Sequence, residues 1–138
     1  MSSHSVVLQK TFYCSPDSVF SLFEDGTVFK LTGANQLEHN IRRGGIFNLT
    51  FNDRGVISGK ILELTVPKIV FEWNVEGFNR PDENATFLEI KIEKKGDTSV
   101  LILRHDNILD AGAASAKKRA WTEILDKMEE MLSYEKQF

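Results

Sequence analysis

Apolar and polar positions alternate through the middle of the chain and switch to helical spacing near both ends. Ile69, Phe71, Trp73 and Val75 are set against Val70, Glu72 and Asn74, and Leu88, Ile90 and Ile92 against Glu89, Lys91 and Glu93. A period of two marks strands with one apolar and one wet face. The pattern predicts strands over Leu37 to Ile41, Gly45 to Phe51, Val56 to Val66, Lys68 to Val75, Ala85 to Glu93 and Ser99 to Asp106. Arg43-Gly44, Asn52-Asp53-Arg54-Gly55, Val66-Pro67, a longer Gly77 to Asn84 loop and Lys95-Gly96-Asp97 punctuate them. Connections this short predict antiparallel hairpins. Between Gly59 and Leu64 the alternation slips, because Ile61, Leu62 and Leu64 are all apolar, and an interior glycine beside such a slip predicts a bulge or bend.

At the start, Val6 to Tyr13 is rich in β-branched and aromatic residues and predicts a strand. Ser15 is placed to cap a helix and Pro16 to occupy its first position, where the missing N–H costs nothing. That helix presents Val19, Phe20, Leu22 and Phe23 and stops by Asp25-Gly26; Thr27 to Gln36 predicts a short irregular helical turn. The longest helical pattern is Ala113 to Lys136, with Trp121, Ile124, Leu125, Met128, Met131 and Leu132 along one side. The predicted class is therefore α+β, a curved antiparallel sheet of about seven strands gripping one long C-terminal helix, with two short helices after the first strand.

A chain of 138 residues fits a single domain, 1–138. Seventeen Lys and Arg against 20 Asp and Glu give a net charge of -3, which supplies no field to gather nucleic acid. The opening MSSHSVVLQKTFY lacks the basic and apolar regions of a secretory signal, and His4 is expected in a mobile N-terminus. No run approaches the roughly 18 apolar residues of a membrane span, so the expectation is a soluble, cytoplasmic protein without a membrane segment. Cys14 is the one cysteine, which excludes an intrachain disulfide and a thiolate-rich metal site, and Tyr13 and Ser15 offer no cation to activate it. No spacing of His, Cys or carboxylates points to a metal, and no cofactor is implied.

The most enzyme-like cluster is His105 between Arg104 and Asp106, since a histidine near a carboxylate can serve as a general base. On a strand, however, both neighbours point away from His105, and a half-buried histidine bonded at the sheet edge is the plainer reading. Lys117-Lys118-Arg119 places cations in the first turns of the last helix, against its dipole, which invites an anionic ligand or partner, although a solvated face is the default. If the alternation holds, Phe47, Phe71, Trp73 and Trp121 face the space between sheet and helix. A strongly curved sheet around one helix is hard to fill, so these aromatics, with Leu88, Ile90, Leu103, His105, Leu125 and Met128, are the candidate walls of a ligand cavity.

The same residues resemble a known family. Ser15-Pro16-Asp17-Ser18-Val19-Phe20 is similar to an Ala-Pro-x-x-Val-Phe helix start, and Gly45-Ile46-Phe47 to a Gly-x-Phe hairpin start. Gly59 to Pro67 followed by Ile69-Val70-Phe71-Glu72-Trp73 resembles a Gly-x-Val-Leu-Glu-Ile-x-Pro-Pro ribbon and its Leu-Val-Phe-Thr-Trp strand. Thr98 to His105 and Ala120-Trp121-Thr122-Glu123-Ile124-Leu125 are similar to a late strand ending in His and to a Gly-Trp-x-x-Leu helix. Together they resemble the helix-grip fold of the START-like superfamily (the Bet v-like or SRPBCC group), within it the heat-shock-protein-90 ATPase activator homologues. Val28 to Gly33 lacks the tryptophan pair often found there, and Ala120 replaces the helical glycine.

The resemblance implies no single activity, since the family holds co-chaperone domains, ligand carriers and toxin-resistance proteins. The leading expectation is non-catalytic binding of a small hydrophobic or amphipathic molecule between the sheet and the last helix. A co-chaperone-like interaction module, with a chaperone protein as partner, is the second. A cyclase- or hydrolase-type enzyme using His105 as base is the third. Oligomeric state is left open by the sequence.

Overall fold

The computed structural model describes residues 4–65, 67–77 and 85–136. The chain forms strand β1 (His4–Phe12), helices α1 (Pro16–Glu24) and α2 (Thr27–Lys30), then strands β2 (Gln36–His39), β3 (Ile46–Phe51), β4 (Gly55–Thr65), β5 (Lys68–Gly77), β6 (Thr86–Lys95) and β7 (Thr98–Ile108), and ends in helix α3 (Ala111–Lys136). One turn of 3-10 helix, Asn52–Arg54, links β3 to β4. His4 begins β1 opposite Ile108, where a mobile arm is predicted; the pairing with β7 orders it. The predicted strand end at Val66 and the 78–84 part of the predicted loop lie outside the described residues.

The seven strands form one antiparallel sheet in the order β1-β7-β6-β5-β4-β3-β2. Hairpins build β2 to β7 in chain order, and β1 joins the far side beside β7, so α1 and α2 must carry the chain from one edge of the sheet to the other. Ser15 caps α1 as predicted, its hydroxyl accepting the Ser18 N–H, with Pro16 in the first turn. The face of α1 that carries Val19, Phe20, Leu22 and Phe23 is buried, and the helix packs on β6, β7 and α3.

The sheet bends in β4. Its register against β5 shifts between Ile61 and Glu63, where Leu62 is the extra residue. Ile61 therefore keeps its core position while Leu62 turns outward and is 38% exposed. Gly59 permits a second close approach: a Cβ there would collide with the Glu72 carbonyl and lie 2.8 Å from the Phe47 ring. The glycine thus lets the tip of the Phe47 ring of β3 come close to the β4 backbone.

Alternation then delivers one apolar face to the inside. Phe47, Leu49 and Phe51 on β3, Ile69, Phe71 and Trp73 on β5, Leu88, Ile90 and Ile92 on β6, and Leu101 and Leu103 on β7 are all buried. They meet Trp121, Ile124, Leu125, Met128 and Leu132 of α3 in one cluster. Each such side chain contributes roughly 1.5–3 kcal/mol on full burial. On the outer side of the contact, Lys10 of β1 reaches Asp126 at 2.9 Å and Glu129 at 3.3 Å, pinning the edge strand to the helix.

Candidate functional site

The two halves of α3 differ in side-chain volume, and that difference makes the cavity. The C-terminal half presses Ile124, Leu125, Met128 and Leu132 into the core. Its N-terminal half reads AGAASAKKRA, so alanines stand where large side chains would be needed to reach the sheet. A cavity of about 380 Å³ remains there, partly open to solvent. Ala113, Ala116, Lys117, Ala120, Trp121, Glu123, Ile124 and Lys127 form its helical wall. Ile57 of β4 with Trp73 and Val75 of β5 form the sheet wall, and Leu31, Thr32, Phe51 and Arg54 close the end.

Both tryptophans of the chain line this space. Their ring centroids are 5.1 Å apart at an interplanar angle of 54°. Behind Trp73, an aromatic stack runs inward through Phe47 at 5.3 Å to Phe29, which stacks on Phe47 at 4.9 Å, with Phe71 set edge-on at 5.9 Å from Phe47. Offset and edge contacts of this kind favour a rigid arrangement over a fluid one.

A buried polar chain fixes the indole of Trp121. Its Nε1–H donates to Nδ1 of His105 at 3.0 Å, and Nε2 of His105 lies 2.7 Å from Oγ1 of Thr86. Indole nitrogen is a donor only, so Nδ1 must accept; a neutral ring then carries its proton on Nε2 and donates to Thr86. The Thr86 hydroxyl in turn donates a hydrogen bond to the Trp73 carbonyl. The relay therefore ties together the two residues whose rings wall the cavity. No buried side-chain polar atom among the described residues lacks a partner.

This arrangement decides what His105 can do. The residue is fully buried and sits mid-sheet, in β7 between β1 and β6, rather than half-buried at an edge; β1 pairing along β7 makes the difference. Burial pushes the imidazole down to about 3, the Lys117 ammonium works the same way, and Asp106 opposes them. A general base needs an open lone pair facing a substrate. The His105 lone pair faces the Trp121 N–H instead, and His105 is not among the residues that line the cavity. Arg104 and Asp106 emerge on the opposite face, as strand alternation requires, where Arg104 Nε bonds both Asp106 oxygens at 3.0 and 2.9 Å and Ser5 donates to one at 2.6 Å.

Of the residues proposed from sequence as cavity walls, Trp73 and Trp121 line the space. Phe47 and Phe71 stand directly behind them, and Leu88, Ile90, Leu103, Leu125 and Met128 lie deeper, each at most 4% exposed. The end wall of Leu31, Thr32, Phe51 and Arg54, and the small residues of α3, were not picked out from sequence. The run of alanines before Trp121 is the signal that marks the α3 part, because a helix pressed against a sheet leaves a gap wherever its inward side chains are short. Thr86 carried no such signal. Among the described residues no group of three or more His, Cys, Asp or Glu side chains stands ready to hold a metal, and no helix is long and apolar enough to cross a membrane.

Comparison with known proteins gives the fold its family. The profile described as "Activator of Hsp90 ATPase homolog 1-like protein" matches residues 13–133. The chain belongs to that family. Among solved structures, PFC0360w, described as an HSP90 activator from Plasmodium falciparum, is 26% identical, with 94% of this chain and 96% of that one covered at a TM-score of 0.75. CalU16 from Micromonospora echinospora is 21% identical over 98% of this chain and 80% of its own, also at 0.75. MLL2253 from Mesorhizobium loti reaches 0.81 at 14% identity, covering 95% and 98%. The last two likenesses carry the fold alone. No curated protein matched the chain.

Proposed function

We propose that this member of the Hsp90 ATPase activator homologue family binds a small apolar or amphipathic molecule in the cavity between β4, β5 and the N-terminal half of α3, without catalysing its conversion. The observation that carries the reading is an opening of about 380 Å³ walled by both tryptophans. That volume falls within the range of small-molecule sites, about 300–1,000 Å³. The hydrogen-bond relay supports it further, because a preorganised wall loses little freedom when a ligand arrives. His105, bonded to the cavity residue Trp121, has its lone pair engaged, which favours binding over acid–base turnover.

The test uses N-phenyl-1-naphthylamine, a neutral apolar reporter. Saturable binding with energy transfer from tryptophan is expected, and at a free concentration about 100 times Kd the bound chain should gain about 2.7 kcal/mol of stability. Filling the helical wall by Ala116→Phe together with Ala120→Phe should abolish the signal while the fold persists, since both positions are exposed. Absence of saturable binding, or equal binding by the filled variant, would end this reading.

Likeness to PFC0360w favours a second reading, a surface that engages a chaperone of the Hsp90 class. Measuring the ATPase rate of Hsp90 with and without this chain decides it, and an unchanged rate removes it.

A further inference from the structure

Although the chain carries a net charge of -3, the cavity lining holds three cations, Arg54, Lys117 and Lys127, against one carboxylate, Glu123. On the sheet, Lys10, Lys68, Lys91 and Arg104 each meet a carboxylate. Among the described residues, Arg54 and Lys127 meet none. Arg54 is held with its guanidinium carbon 5.7 Å from the Phe51 ring centroid, a contact that fixes its position without using any of its N–H donors. Lys127 gives one proton to the Leu31 carbonyl at 3.3 Å, leaving two of its three for another acceptor. Lys117 lies close enough to the inner wall to act on His105. The first turn of α3 contains no acidic residue, and the Asp110 carboxylate just before it accepts the Ala113 N–H. Concentrating like charges at the rim of an apolar space costs self-repulsion, which an incoming anion would relieve.

From this we infer that the occupant is an amphipathic anion, with its apolar body against Trp73 and Trp121 and its carboxylate or equivalent acid group held at the rim by Arg54, Lys117 and Lys127. The inference rests on the reading of the cavity as a binding site and names the chemical class that the site accepts. A buried apolar body gives the contact area, and charge-assisted hydrogen bonds to the acid group set its orientation.

The test keeps the two ideas apart. N-phenyl-1-naphthylamine bound to the wild-type chain is displaced by decanoate or by decan-1-ol, which share an acyl length and differ in the acid group. Arg54→Gln combined with Lys127→Gln, both at exposed positions, should weaken decanoate about tenfold while changing decanol by less than about twofold. Added salt should weaken decanoate and spare decanol, because the rim is open to solvent. Lys118→Gln with Arg119→Gln, which removes two exposed cations of α3 outside the lining, should leave decanoate unchanged. If decanol displaces the reporter and decanoate does not, or if the Arg54 and Lys127 variant weakens both alike or neither, the inference is overturned and the cavity reading stands. If the reporter fails to bind at all, both fall together.

Discussion

Acidifying the protein tests the His105 relay more sharply than deleting it, because the structure specifies both the sign and the size of the response. In the folded chain burial holds the imidazole down to about 3, against an ordinary value of 6.5. Below that ordinary value the unfolded chain takes up a proton that the folded chain refuses. Stability from this residue is therefore complete above about pH 6.5, falls as pH drops, and is exhausted near the folded value. The slope between those limits is about 1.4 kcal/mol per pH unit, so moving from about pH 7 to about pH 5 costs about 2 kcal/mol. Protonation would also place a hydrogen on Nδ1 facing the Trp121 N–H, two donors against each other, which acts in the same direction.

Urea unfolding followed by tryptophan emission measures the effect, with His105→Gln as the non-titrating reference. At about pH 7 the variant should be less stable by about 2 kcal/mol, from the disturbed relay. At about pH 5 the gap should nearly close, since the wild type alone has lost its histidine contribution. Asp106 does not contaminate this window. Burial works to raise its pKa, but hydrogen bonds from Ser5 and Arg104 and the Arg104 charge outweigh it and hold the carboxyl below its usual value, so its contribution disappears only at lower pH. A gap of equal size at both pH values would refute the sealed environment of His105.

Thr86→Val keeps the shape of the side chain but leaves the buried His105 Nε2–H without an acceptor, and should lower unfolding free energy by about 2 kcal/mol in chemical denaturation; no change would mean that another group accepts that proton. Gly59→Ala drives a methyl into the Glu72 carbonyl and the Phe47 ring, so a loss of about 3 kcal/mol is expected. Wild-type stability in that variant, measured by the same denaturation, would show that the β4 bend does not need the glycine.

Much of the architecture was legible because it depends on period alone. Ile69, Phe71 and Trp73 had to share a face of a strand, and Trp121, Ile124, Leu125 and Met128 a face of a helix, whatever their eventual neighbours. The β4 slip was legible for the same reason: three apolar residues cannot all face inward on a regular strand, and Leu62 is the one expelled. The family motifs narrowed the class further, since they place glycines and aromatics where the bent ribbon needs them.

The cavity was less legible because emptiness is a property of pairs of elements. That Leu88, Ile90 and Leu103 are apolar and inward follows from alternation; that they lie deep in the core while Trp73 and Val75 border open space depends on where along α3 the side chains shorten. Arg54 joins Lys117 and Lys127 across 63 and more positions of sequence because the β3–β4 turn ends beside the helix.

What the sequence by itself determined is the set of amphipathic faces, and through them a curved antiparallel sheet clasping a terminal helix, because local periodicity leaves apolar surface no other way to escape water. What tertiary structure decided is the chemistry. Pairing of β1 with β7 moved His105 from a supposed edge into the interior, and docking of α3 brought the Trp121 N–H to its lone pair. Those are contacts between residues distant in the chain, and a titrating group takes its character from the groups that surround it in space, which no local pattern encodes.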